Sequence, residues 1–187
     1  MSVLIQKVKY PVVVIGSEMV GKTSIINRYC KNVFEDTYFA TLFSDLHIKR
    51  LVRNGSDMEL HVWDIGGQDQ YKVDRKIYLP RAYVVIVVFA VNDILSFTSL
   101  EDWMAEVKKY CKENPKLILV ANKTDLRCNN PNCVATAQIE NEARIAGFDA
   151  VIETSAKEGT NVTAVFDLVV EMCKDRPSFT PPVYATT

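Results

Sequence analysis

Residues 16 to 23 read G-S-E-M-V-G-K-T, a spacing suited to binding phosphate. In this pattern the backbone N–H groups of a glycine-rich turn bind phosphate oxygens at the start of a helix. The Lys22 ammonium then reaches the outer phosphates, and the Thr23 hydroxyl ligates Mg²⁺. The pattern predicts that one continuous loop binds a nucleotide: Gly16, Ser17, Glu18, Met19, Val20, Gly21, Lys22, Thr23 and Ser24.

Glu18 is unusual because it places a carboxylate in a loop that would bind anions. The binding groups are backbone amides, Lys22 and Thr23, so the loop accommodates a carboxylate that points outward. Loop residues often point into water, and a solvent-facing glutamate is one reading. The other is a regulatory effect near the terminal phosphate.

A second motif, W-D-I-G-G-Q, spans Trp63 to Gln68. Asp64, at the end of a strand, is well placed to hold a magnesium-bound water. Gly67 permits close backbone approach to a terminal phosphate, and Gln68 could orient an attacking water. We therefore predict Gln68 as the catalytic residue.

Two further loops could recognise a base. N-K-T-D, Asn122 to Asp125, directly follows the apolar run L-I-L-V-A. Asp125 accepts hydrogen bonds only, so it suits the adjacent N–H donors of guanine and repels the acceptor of adenine. A solvated loop is the alternative for this motif alone. The segment E-T-S-A-K, Glu153 to Lys157, could contact the base oxygen through its amides, but is a weak signal by itself.

The elements that would position these motifs alternate between strand and helix. Buried strands are predicted at residues 83–91 and 117–121, and a hairpin at residues 46–63 turns at Asn54-Gly55. Ser99, with Asp102 three residues on, is the predicted cap of one helix. This order favours an α/β fold with a mostly parallel sheet covered on both faces. Ligands of such sheets bind beyond the carboxyl ends of the strands, where the motifs fall.

The composition limits the possible partners. A chain of 187 residues fits one domain, and its net charge of −1 gives no electrostatic reason to expect nucleic acid. The longest apolar run is too short to span a membrane. Five cysteines at scattered spacings indicate free thiols in a reducing compartment. Cys128 and Cys133 could pair or share a metal, but without a second ligand pair nearby we favour plain surface thiols.

The four motifs, in this order and after these strands, resemble the Ras superfamily of small GTPases over about residues 8 to 174. E-T-S-A-K-E-G-T-N-V and N-K-T-D-L look most like the Rab branch, whereas W-D-I-G-G-Q-D has Arf-like wording. The resemblance implies a three-layer P-loop GTPase fold whose six-stranded sheet has one antiparallel strand. It also implies a G domain at residues 1–174, followed by a proline-containing tail at 175–187.

The resemblance assigns roles to further residues. Thr41 matches the switch I threonine that closes over Mg²⁺ and the γ-phosphate, so the implied metal set is Thr23, Thr41 and, through water, Asp64. Phe34 matches the aromatic residue against guanine, and Tyr38 the tyrosine covering the phosphates. The base side of the implied site consists of Asn122, Lys123, Asp125, Ser155, Ala156 and Lys157.

The implied function is a switch that binds GTP or GDP with Mg²⁺ and slowly hydrolyses GTP, in Rab-like vesicle trafficking or signalling. Effectors, exchange factors and activating proteins would bind its switch regions, and Leu46, Trp63 and Tyr78 match an effector surface. The alternative is that Leu46 and Trp63 are plain strand residues facing solvent or core, since strand alternation decides the face. A cytoplasmic protein is implied, free or peripheral on cytosolic membrane faces. The alternative is an interaction module that holds nucleotide and barely hydrolyses it. Asp125 disfavours a third class, an adenine-nucleotide enzyme.

Several positions depart from the family pattern. Leu42-Phe43 stands where isoleucine and glycine are expected, which predicts a different path for switch I. Pro80 should interrupt a helix running through the switch II region. Glu18 replaces a small residue, and in Ras-like proteins bulk there hinders a partner's catalytic finger. The tail has no C-a-a-X box, so this chain does not support a lipid anchor.

Overall fold

The computed structural model describes residues 8–36, 41, 44–53 and 56–175, built around one six-stranded sheet. The strands are β1 Val8–Ile15, β2 Asp45–Arg53, β3 Ser56–Asp64, β4 Val84–Ala90, β5 Lys116–Asn122 and β6 Ala150–Glu153. Their order across the sheet is β2-β3-β1-β4-β5-β6. The edge strand β2 is antiparallel to β3, and the other pairings between these strands are parallel. The predicted sheet is therefore confirmed.

Helices cover both faces of the sheet. They are α1 Lys22–Lys31, α2 Lys72–Tyr78, α3 Ile94–Thr98, α4 Leu100–Tyr110, α5 Thr136–Ala146 and α6 Val162–Met172. Helices α1 and α6 pack on one face, where the Tyr29 ring stacks on Phe166. Helices α3, α4 and α5 contribute to the core on the other face. The result is the three-layer arrangement that the resemblance implied.

The two cores form because side chains alternate between the faces along each strand. Val12 and Val14 of β1 belong to one core, whereas Val13 and Ile15 belong to the other. Strand β4 is buried along its whole length and alternates in the same way. The central strands are therefore packed on both faces, and the loops at their carboxyl ends start from a rigid base.

Strand β1 is longer than its apolar run predicts. Its first half, Val8–Pro11, pairs with residues 58–61 of β3 but is only partly buried. Backbone hydrogen bonds hold this half in the sheet, and a hydropathy pattern does not reveal such pairing.

Helix α4 begins at Leu100, but its predicted cap is wrong. The Ser99 hydroxyl donates to the Leu95 carbonyl at 2.8 Å and forms no cap bond with α4. Asp93 instead caps α3, because its Oδ1 accepts from the N–H groups of Leu95 and Ser96. Only Ser99 separates α3 from α4, so the Ser99 side chain completes the end of α3.

Other sequence predictions fall at the ends of elements. Pro80 has the predicted effect, since α2 ends at Tyr78 and Pro80 lies in a short 3-10 turn, Leu79–Arg81. The pairing of β2 with β3 extends to Arg53 and Ser56, while the predicted turn residues Asn54 and Gly55 lie outside the described residues. Residues 176–187 also lie outside them, so the division into domain and tail stays a prediction. None of the described helices is long and apolar enough to cross a bilayer.

Candidate functional site

A cavity of about 370 Å³ lies between the loops that follow β1, β3, β5 and β6. Most of the predicted residues line it: Glu18, Met19, Gly21, Lys22, Thr23, Ser24, Phe34, Thr41, Gly67, Gln68, Asn122, Lys123, Asp125, Ala156 and Lys157. Gly16, Ser17, Val20 and Ser155 belong to the same loops without lining the cavity, and Asp64, the last residue of β3, does not line it either. Tyr38, Leu42 and Phe43 lie outside the described residues. The structure thus brings the four sequence motifs around one cavity.

The phosphate loop depends on two glycines. Gly16 has φ of 139°, and a Cβ there would lie 2.1 Å from the Val88 carbonyl oxygen. Gly21 has φ of 95°, and a Cβ there would lie 2.3 Å from Asn122 Nδ2. Both positions are left-handed and crowded, so any larger residue would displace the loop. The loop therefore packs tightly between β4 and the loop after β5.

Lys22 is buried at the base of this loop. Its Nζ donates to the carbonyl oxygens of Gly16 at 2.8 Å and Ser17 at 2.6 Å. Burial lowers the pKa of Lys22 to about 8, and the Asp64 and Glu18 carboxylates oppose that shift. The ammonium thus lines the cavity, where a phosphate would be a stronger acceptor than these two carbonyls.

Three oxygen ligands cluster beside Lys22. The Thr23 hydroxyl donates to Asp64 Oδ2 at 2.5 Å and lies 3.0 Å from the Thr41 hydroxyl. Asp64 is fully buried, and its Oδ1 has no hydrogen-bond partner among the described residues. Burial raises the pKa of Asp64, while the Thr23 hydroxyl and the Lys22 ammonium lower it. An unpartnered carboxylate oxygen next to two hydroxyls fits Mg²⁺, which prefers oxygen ligands.

The loop after β3 touches the phosphate loop directly. A Cβ on Gly67 would lie 2.6 Å from the Ser17 carbonyl carbon and 2.7 Å from the Glu18 nitrogen. Gln68 Nε2 donates to Glu18 Oε2 at 2.9 Å, and Gln68 Oε1 accepts from Gln70. Glu18 is exposed, yet its carboxylate binds the predicted catalytic glutamine. The outward-pointing reading of Glu18 is therefore incomplete.

Asn122 joins three loops on the base side. Its Nδ2 donates to the Val20 carbonyl at 2.8 Å, and its Oδ1 accepts from the Thr154 hydroxyl and the Ala156 amide. Asn122 is 2% exposed, so these bonds are shielded from water. Sequence reasoning expected an asparagine that reads a base; the structure adds that its side chain connects the phosphate loop to the last loop.

Asp125 and Lys123 lie on the cavity wall next to Asn122. Asp125 Oδ1 accepts from the Ser155 hydroxyl at 2.6 Å, which orients the carboxylate. Lys123 adopts a left-handed conformation with φ of 67°, and burial lowers its pKa. The predicted base-side residues are therefore held together by contacts between two loops.

Sequence reasoning missed Arg28 of α1. Its Nε donates to the Ala156 carbonyl at 2.9 Å, and its Nη2 donates to the Lys157 carbonyl at 2.7 Å. Its guanidinium also lies 5.8 Å from the centre of the Phe34 ring. Arg28 thus supports both the predicted aromatic contact and the last loop. The only signal in the sequence was its place on the first helix after the phosphate loop.

The three candidate effector residues form one contiguous surface. Leu46 pairs with Trp63 across β2 and β3, and the Trp63 ring stacks on Tyr78 with centroids 4.0 Å apart. All three are partly exposed. Strand alternation left open whether Leu46 and Trp63 face solvent or core; their intermediate burial is compatible with both packing and partner contact.

The position of these loops on a sheet with a reversed edge strand defines the class of protein as a P-loop small GTPase. The model of the Ras family matches residues 11–175, most of the chain. The chain therefore belongs to the Ras family, and the predicted resemblance is confirmed. Proteins of this family are GTPases, which makes the chain a GTP hydrolase by class.

Similar proteins with Rab names place the chain near that branch. The Ras-related protein Rab-3 of Caenorhabditis elegans is 33% identical over 167 residues, covering 89% of this chain and 75% of the relative. The Ras-related protein Rab-1D of Dictyostelium discoideum is 34% identical, with coverage of 89% and 80%. The GTP-binding protein YPTM2 of Zea mays is 30% identical, with coverage of 92% and 83%. The chain is Rab-like.

We expect Asn122→Ala to destabilise the nucleotide-free protein. The change leaves the Val20 carbonyl and the Ala156 amide without their partner, and such a loss costs about 1–3 kcal/mol in unfolding free energy. Urea unfolding without nucleotide measures it. Asn141→Ala, an exposed change on α5, is the matched control and should have little effect. Equal stability of the two variants would contradict a joining role for Asn122.

Proposed function

We propose that the chain is a guanine-nucleotide switch that binds GTP or GDP with Mg²⁺ and hydrolyses GTP slowly. One observation carries the proposal: the phosphate loop and Asp125 line the same cavity. A polyphosphate at the first and a purine at the second would place the nucleotide across the carboxyl edge of the sheet. We propose for each predicted residue the role that the family resemblance assigns to it. Tyr38 is included from sequence alone.

The phosphate side of the site supplies positive charge and donors. The Lys22 ammonium and the amides of residues 16–24 would bind phosphate oxygens, because both lie at the N-terminal end of α1. Thr23, Thr41 and the water-linked Asp64 would hold Mg²⁺, which neutralises phosphate charge when bound.

The base side supplies selectivity. The Asp125 carboxylate would accept hydrogen bonds from the N–H groups of guanine. With adenine bound in the same way, the carboxylate would face a ring acceptor and be repelled by it. Phe34 lines the same cavity and offers an apolar face to the base. Lys123 would pack along the nucleotide, while Ser155, Ala156 and Lys157 complete the base loop.

Hydrolysis would depend mainly on positioning. Gln68 lies next to the phosphate loop and can orient a water molecule toward a terminal phosphate. The water would attack the phosphate directly, so no residue has to form a covalent intermediate. Unassisted GTP turnover in this class is on the order of 10⁻⁴ per second, so activating proteins would be needed to accelerate hydrolysis. Loss of the γ-phosphate would release the two switch segments.

The switch segments would also present the partner surface. Leu46, Trp63 and Tyr78 adjoin the loop that carries Gln68, so nucleotide state and surface shape can be linked. The Rab-named relatives support a place in vesicle trafficking or signalling, on the cytosolic side of membranes. Effectors, exchange factors and activating proteins are the partners proposed for it.

We predict that nucleotide extracted from the purified protein is GDP or GTP. Asp125→Asn should lower GDP affinity at least about tenfold and raise affinity for xanthine nucleotides, because the amide places a donor where guanine also presents one. Competition binding measures both. Asp102→Asn on the exposed side of α4 should change neither. Extraction of ATP or ADP would contradict the proposed specificity.

We predict that chelation of Mg²⁺ speeds nucleotide release. EDTA should raise the GDP dissociation rate of the wild type at least tenfold, since a loss of about 1.4 kcal/mol in binding free energy corresponds to that factor. In Asp64→Asn the release should be fast already, and EDTA should add little, because the carboxylate that holds the metal water is lost. A dissociation rate of the wild type that EDTA leaves unchanged would contradict the metal site.

A second candidate function, a nucleotide-holding module that barely hydrolyses GTP, is favoured by the Glu18–Gln68 hydrogen bond. A glutamine amide bound to Glu18 has one fewer donor for water. The carboxylate also adds bulk and negative charge close to a phosphate site. Both effects would slow turnover and hinder an activating protein.

We therefore predict that Glu18→Gly raises stimulated GTP turnover and leaves nucleotide affinity nearly unchanged. Phosphate release is measured for wild type, Glu18→Gly and Gln68→Leu, each with and without cell extract. No gain in Glu18→Gly would rule out the regulatory role of Glu18. Equally slow release by wild type and Gln68→Leu in every condition would favour the non-hydrolysing module over the switch.

A further inference from the structure

Among the described residues, Arg75 of α2 is the largest fully buried side chain, and it lies between the loop that carries Gln68 and helix α4. Only 1% of the residue is exposed. Its Nε donates to Glu106 Oε2 at 2.6 Å, and its Nη2 donates to Glu106 Oε1 at 3.3 Å. A buried guanidinium with a two-point contact to a carboxylate has a defined orientation.

The remaining donor group of Arg75 holds the loop that carries the catalytic glutamine. Its Nη1 donates to the Gly66 carbonyl at 3.2 Å and to the Gln68 carbonyl at 3.1 Å. These carbonyls lie on either side of Gly67, the residue that touches the phosphate loop. The guanidinium thus fixes the backbone immediately before and at Gln68.

The partner of Arg75 belongs to a rigid element. Glu106 lies on α4, whose Trp103, Met104 and Val107 are buried in the core. The Arg75 guanidinium also lies 5.0 Å from the centre of the Trp103 ring. Trp103 Nε1 is 3.5 Å from the Ser17 hydroxyl, the outer limit of a hydrogen bond. Helix α4 therefore contacts the phosphate loop through Trp103 and is linked to the loop of Gln68 through Arg75.

A charge buried to this degree is costly unless its donors are satisfied. An apolar side chain would fill the same space without the desolvation cost of a buried charge, so stability alone does not explain the ion pair. What an apolar residue cannot do is donate to two loop carbonyls at once. Lysine also lacks the planar fork that serves a carboxylate and two carbonyls together.

We propose that Arg75 is a positioning residue for GTP hydrolysis, which sets Gln68 against the phosphate loop by anchoring the Gly66 and Gln68 carbonyls to α4. This inference rests on the proposed function. A displacement of about 1 Å at a reacting group can cost about 100-fold in rate, so two carbonyl bonds next to Gln68 matter for the rate. Nucleotide affinity depends on other residues.

The test compares Arg75→Met, Glu106→Leu and the double variant Arg75→Met/Glu106→Leu. Single-turnover GTP hydrolysis, GDP affinity and the thermal unfolding midpoint are measured for each. Each single variant leaves a charge without its partner, so the midpoint falls. In the double variant the midpoint recovers, whereas hydrolysis stays about 10- to 100-fold slow and GDP affinity is nearly unchanged. Arg144→Met, an exposed arginine change on α5, is the control and leaves all three unchanged.

Arg75→Lys separates charge from geometry. It keeps the positive charge opposite Glu106, so the midpoint falls less than in Arg75→Met, but hydrolysis stays slow because the fork is lost. Amide hydrogen exchange at residues 65–71, with GDP bound, gives a readout that needs no turnover. Exchange there rises in the double variant and in Arg75→Lys.

A double variant with wild-type hydrolysis and wild-type exchange overturns the inference and makes the pair purely structural. A wild-type protein that binds no guanine nucleotide overturns the proposed function instead. If the wild type holds guanine nucleotide without hydrolysing it, the exchange result alone decides: increased exchange at residues 65–71 supports the anchoring role, and unchanged exchange rejects it.

Discussion

The structure depends on one turn of the backbone, the phosphate loop between β1 and α1. Its glycines at residues 16 and 21 lie against the Val88 carbonyl and the Asn122 side chain, so the loop has little freedom to move. Lys22 is buried beneath it and donates to two of its carbonyls. A loop held in place in this way needs little rearrangement to bind an anion, and a preorganised donor set favours such binding.

The other loops of the site are arranged by side chains that reach across elements. On the base side, Asn122 and Arg28 attach the last loop to the phosphate loop and to α1. On the switch side, Arg75 attaches the glutamine loop to α4. The two sides differ, since the base-side contacts join loops to one another and to α1, whereas the switch-side contact runs through α2, a short helix of seven residues. A segment of that kind can move while the rest of the site stays in place.

The sheet and the location of the motifs could be predicted from sequence because both follow local patterns. Buried strands such as β4 are continuous apolar runs, and the chemistry-bearing loops follow them directly. Contacts between distant residues left no such trace. Arg75 looks like one charge among several in K-V-D-R-K, and its partner Glu106 is 31 residues away. The predicted Ser99 cap failed because a separate short helix, α3, ends just before Ser99, and the Ser99 hydroxyl binds the Leu95 carbonyl of that helix.

Nucleotide state should change the contacts of the switch segments, and the two tryptophans, Trp63 and Trp103, report on those contacts directly. Trp63 stacks on Tyr78, and Trp103 lies beside Arg75 and Ser17, so each contacts a segment that should rearrange. The decisive measurement is tryptophan fluorescence during a single turnover of bound GTP, recorded together with phosphate release. We expect a fluorescence difference between the GTP and GDP states that decays at the rate of phosphate release. Identical fluorescence in both states, or a decay unrelated to phosphate release, would contradict it.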